Sequence, residues 1–122
     1  MKEVLLIAAA AATALTAVAH SYLGERRLIA PLLGLRHGVL ALPLARQVIR
    51  FAWHLTAALW AVQELVLLRA AFVPGAFDRI VIGGIGVVHL TAGLGDAIVT
   101  RGKHIGWPLL SAIGILALLA AI

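Results

Sequence analysis

Residues 77–100 read FDRIVIGGIGVVHLTAGLGDAIVT. The run is apolar over about the length that crosses a bilayer, roughly 17–25 residues. Asp78 stands where a helix N-cap is wanted. Gly83, Gly84, Gly86, Gly93 and Gly95 make the expected helix thin, so that a neighbouring helix or a flat ligand can approach its backbone. His89 and Asp96 interrupt the apolar character; seven residues apart, they share one face. Such groups are costly against lipid and usually turn toward a bundle interior. Gly83-Gly84-Ile85-Gly86 has no strand before it and is not a dinucleotide loop.

Three further apolar runs flank this one. The pattern predicts spans at about 4–22, 47–71, 77–100 and 105–122, with Trp53 and Trp107 near interfaces and Pro108 in the first turn of the last span. Between the first two lies a connector, 23–46, punctuated by Gly24, Pro31, Gly34, Gly38 and Pro43. It is apolar yet carries Arg26, Arg27, Arg36 and Arg46, which reads as one or two short pieces lying in the membrane interface. The expected fold is all-α: a four-helix transmembrane bundle with an interfacial segment between helices 1 and 2, one integral membrane domain over residues 1–122. Lys2 and Ala17-Val18-Ala19 also resemble a secretory signal, but Glu3 is atypical of its charged head, and a retained span is expected.

Composition agrees. Of 122 residues, 63% are apolar, against about half in a soluble domain. The absence of cysteine excludes disulfides, thiolate metal sites and cysteine nucleophiles. The net charge of +5 comes from residues flanking the spans, which points to anionic lipid and topology rather than nucleic acid. Arg26, Arg27, Arg36, Arg46, Arg50, Arg101 and Lys103 fall on one side and Lys2, Arg69 and Arg79 on the other. The positive-inside rule then puts the connector in the cytoplasm and both termini outside, in the periplasm of a bacterial inner membrane.

The polar residues suggest a site. At about 1.5 Å per residue, His20, His54 and Asp96 lie within roughly 3–7 Å of the same boundary, and Glu25 can fold over them. His89 lies deeper, and Glu64 extends the series along span two. Two imidazoles with one or two carboxylates make a workable shell for zinc, iron or manganese, with His20 and His54 as primary ligands, Glu25 or Asp96 completing the shell and His89 in reserve. A b-type haem needs two facing histidines and small residues, and a histidine–carboxylate ladder also suits a proton or ion path. The plainer reading is a structural or assembly subunit, with Asp96 paired to Arg101 and the histidines bonded to threonines across the bundle. Small-residue faces on spans one, three and four allow a homo-oligomer or a place in a larger membrane complex.

The stretch His20-Ser21-Tyr22-Leu23-Gly24-Glu25-Arg26-Arg27-Leu28-Ile29-Ala30-Pro31-Leu32-Leu33, with Phe51-Ala52-Trp53-His54-Leu55-Thr56, resembles small four-span proteins of bacterial inner membranes. The likeness covers mainly the first half of the chain. It implies location and topology; it assigns no role to His20, Glu25 or His54.

Overall fold

The computed structural model describes residues 1–122 and is helical, without a strand. Four helices carry the fold. Helix α1 runs Lys2–Gly34, α2 Pro43–Phe72, α3 Arg79–Thr100 and α4 Gly106–Ala121. A 3-10 turn at Gly38–Ala41 joins α1 to α2.

The most informative departure from the sequence reading is α1. Its predicted end at residue 22 is passed, and the first half of the expected connector continues the helix to Gly34. Pro31 should break a helix, because it lacks an N–H and its ring collides with the carbonyl four residues back. The preceding turn, Glu25–Ile29, is widened to π geometry, with the Ala30 N–H reaching Glu25. That widening is where a proline can be absorbed without ending the element. Earlier in α1, the Thr13 and Thr16 hydroxyls donate to the carbonyls of Ala9 and Ala12 at 2.8 Å, so neither is an unsatisfied polar group in an apolar segment.

The other boundaries follow the local chemistry. Pro43 occupies the first turn of α2. Asp78 caps α3, its Oδ1 accepting from the amides of Ile80 and Val81 at 2.8 and 3.1 Å. Arg101 and Gly102, both with positive φ, turn the chain out of α3 while the Gly102 amide bonds back to Ala97 at 2.8 Å.

Helix α1 packs between α2 and α4, and α3 packs most closely on α4. The backbones of α2 and α3 stay apart, so the ring of four is loose along that edge. At the end holding both termini the interior is dry: Leu6, Ala9 and Ala10 meet Leu67, Ile82, Ala117 and Ala120. The α3–α4 seam is tight because glycines line it. A Cβ on Gly114 would lie 2.5 Å from the Leu90 amide nitrogen, and one on Gly93 would lie 2.7 Å from that of Ser111. The thin helix anticipated at 77–100 is therefore used on one face only; Gly84 and Gly95 meet nothing.

Only 18 of 122 residues are buried, and the outside of the bundle is apolar. Along α2 alone, Val48, Phe51, Leu55, Leu59, Val62 and Leu65 are exposed. Helices α1, α2 and α3 are long and apolar enough to cross a membrane. Helix α4, with 16 residues, falls short of the usual span.

Candidate functional site

The polar residues gather at the end away from the termini, where α1 and α2 run antiparallel. His20 and Trp53 hold each other reciprocally. His20 Nε2–H donates to the Trp53 carbonyl at 3.2 Å, and Trp53 Nε1–H donates to the His20 carbonyl at 3.1 Å. A carbonyl can only accept, so the His20 proton sits on Nε2. The two rings stack with centroids 4.0 Å apart, and Trp60 meets the other side of His20 edge-on at 5.0 Å. Gly24 makes the clasp possible: a Cβ there would lie 2.2 Å from the Trp53 ring.

Trp60 then ties α2 to α3. Its Nε1–H donates to Nε2 of His89 at 3.1 Å, and His89 Nδ1 bonds the Ile85 carbonyl at 2.8 Å. An indole N–H is only a donor and a carbonyl only an acceptor, which fixes the His89 tautomer with its proton on Nδ1. His89 is 2% exposed and both of its ring nitrogens are engaged. It bridges the loose α2–α3 edge, and no threonine takes part.

A second polar chain lies beside the first. Ser21 and Glu25 are four apart on α1; Arg50 and His54 are four apart on α2. Ser21 Oγ bonds His54 Nδ1 at 2.7 Å, His54 Nε2 bonds Glu25 Oε2 at 3.2 Å, and Arg50 bonds Glu25 Oε1 at 3.0 Å. The connectivity of hydroxyl, imidazole and carboxylate matches that of a nucleophile with its base and orienting acid. Yet Ser21 lies in mid-helix, where the backbone N–H groups serve the helical ladder, so no donors surround it to stabilise an oxyanion. The four side chains read best as an interhelical fastener.

Asp96 has a different partner from the one expected. Its Oδ2 bonds His104 Nδ1 at 2.6 Å, and Arg101 forms no ion pair with it. Thr100 secures the arrangement: its hydroxyl donates to the Asp96 carbonyl at 2.6 Å and lies 3.4 Å from the His104 amide nitrogen. His104 belongs to the α3–α4 loop, outside every apolar run, and the sequence reading passed it over.

The five expected ligands therefore do not form one shell. His54 pairs with Glu25, Asp96 with His104, His20 with a carbonyl, and His89 with Trp60. No three His, Asp or Glu side chains come together in a way that could hold a metal ion. His54 and His89 each have both ring nitrogens engaged.

What the arrangement does enclose is a cavity of about 490 Å³. Trp53, Trp60 and His20 form one wall, Leu109 and Leu110 of α4 the opposite one, and Thr16 lies at its buried depth. Its exposed rim carries Arg27, Lys103 and His104, with Asp96 just inside. It is bounded by α1, α2, the α3–α4 loop and the start of α4, and Asp96 is the residue of α3 that reaches it. Comparison with protein-family models, with curated proteins and with solved structures returns no match.

Proposed function

We propose that this chain is an integral membrane protein that binds a small amphipathic molecule in the cavity at the polar end of its bundle. The cavity carries the reading: it has an apolar depth and a charged rim, which is the usual pattern of a ligand site, and about 490 Å³ falls within the usual size range. The apolar exterior supports the membrane setting, because exposed apolar patches larger than a few hundred Å² are rare on soluble monomers. The cations at the cavity end favour the cytoplasmic side for it, with both termini on the other face of a bacterial inner membrane. His20, His104 and Asp96 then serve to shape and polarise the site.

Two experiments test this. The chain has no cysteine, so single cysteines placed at Gly38 and Ala76 report sidedness without background. Labelling of both from the same side of intact cells by an impermeant maleimide would end the membrane reading. Organic extraction of protein purified in mild detergent should release a small molecule that is lost in Ala19→Phe, where the added ring fills the cavity. Equal recovery from Ala19→Phe would end the cavity reading.

A further inference from the structure

The two cations on the rim, Arg27 and Lys103, are its least explained residues. Neither makes an ion pair or a side-chain hydrogen bond, although carboxylates stand close by. Asp96 is engaged by His104, and Glu25 by Arg50 and His54. Arg26, next in sequence, lies over the Tyr22 ring, 4.9 Å from its centroid, and Arg27 has no such contact. Arg27 comes from α1 and Lys103 from the α3–α4 loop, and both line the cavity where it is exposed.

The distribution of charge over the whole molecule points the same way. Seven cations share this end with Glu25 and Asp96, whereas Lys2, Arg69 and Arg79 elsewhere are offset by Glu3, Glu64 and Asp78. The entire formal excess of +5 therefore lies at the end of the bundle that holds the cavity. A field of one sign focused at a cleft concentrates ligands of the other sign.

Resting on the cavity reading above, we infer that the occupant is an anionic amphiphile, a phosphate or carboxylate head on an apolar tail, with its head between Arg27 and Lys103. The tail lies in the cavity against Leu23, Leu109 and Leu110, and the Trp53 and Trp60 rings flank it. Guanidinium and ammonium groups differ as anion binders: Arg27 can grip two oxygens of a head group, while Lys103 supplies a compact charge on a flexible stem.

The two cavity indoles make the test optical. With Trp107→Phe, Trp53 and Trp60 are the only tryptophans in the chain. That protein is reconstituted in neutral phosphatidylcholine vesicles and titrated with lipids brominated on the acyl chain, which quench indole on contact. Brominated phosphatidic acid should quench saturably at low mole fraction, and brominated phosphatidylcholine only in proportion to its amount. The Arg27→Ala/Lys103→Ala double variant should weaken the saturable phase by at least about tenfold, since each charge-assisted contact is comparable to a decade of affinity. An Arg36→Ala/Arg101→Ala control removes the same charge from outside the cavity and should change it much less. Saturable quenching by both lipids alike would overturn the anionic head and leave the cavity reading standing. No saturable quenching by any brominated lipid would overturn the cavity reading itself. Displacement of the brominated lipid by inorganic phosphate would overturn the requirement for a tail.

Discussion

Gly24→Ala is the sharpest test of how the site is built. In an ordinary helix this exchange stabilises by roughly 0.5–1 kcal/mol, because glycine gives up more backbone freedom on folding. At Gly24 the new methyl would lie 2.2 Å from Trp53 Cζ2, and ordinary contact begins at 3.4 Å, so the indole must retreat by about 1.2 Å. Trp53 is held by two hydrogen bonds, of 3.1 and 3.2 Å, and by the His20 stack, so retreat forfeits them. Hydrogen bonds contribute about 0.5–1.5 kcal/mol each and an aromatic pair a similar amount. Offset by the helix gain, the expected net loss is about 2 kcal/mol. Gly95→Ala supplies the reference, since a methyl there meets nothing. Unfolding of both variants in mixed detergent micelles, followed by Trp fluorescence and circular dichroism, gives the comparison. If Gly24→Ala is as stable as Gly95→Ala, the clasp is not what holds α1 against α2.

The remaining expectations are narrower. Trp60→Phe and His89→Leu should each destabilise by about 1–3 kcal/mol, and the double variant by little more than either, because they remove one bond; additive losses in the same unfolding assay would separate the two residues. Gly114→Ala should loosen the α3–α4 seam by more than about 2 kcal/mol, with a methyl 2.5 Å from a backbone nitrogen that has no room to move. Asp78→Ala should lower stability by about 1 kcal/mol through loss of the cap, read by helix content at the start of α3. Glu25→Gln should change stability by less than about 1 kcal/mol, since the Arg50 side chain opposite is 51% exposed.

The helical class, the cap at Asp78 and the bounds of α3 and α4 were legible because each depends on local pattern alone. The extent of α1 was not. Gly24, Pro31 and Gly34 look like punctuation, but Gly24 is small to admit Trp53 and Pro31 is absorbed by a widened turn. Both causes lie in tertiary packing or in a rare helical geometry, which residue preference does not report. Rise per residue brought His20 and Asp96 to one end of the bundle, and they do line one cavity. It could not say which neighbour each group would choose. The signal for His104 is its position eight residues beyond Asp96, on a loop short enough to fold back. Trp53 reads from sequence as an interface residue, but with Trp60, seven residues on along the same face, it lines the cavity. Ser21 with Glu25 and Arg50 with His54 were a second missed signal: two pairs at four-residue spacing on helices that run antiparallel.

The four helices are of very unequal length. At about 1.5 Å per residue, α1 is about 50 Å long and α4 about 24 Å, against a hydrocarbon layer of roughly 30 Å. In the membrane setting proposed above, a bilayer around such a body would have to thin beside α4, while α1 would tilt or rise out of it. The loop that begins α4 also supplies Lys103 and His104 to the cavity rim. On that proposal, acyl-chain length in the host membrane would pull directly on the lip of the cavity, and lipid thickness would become a variable to which its occupancy responds.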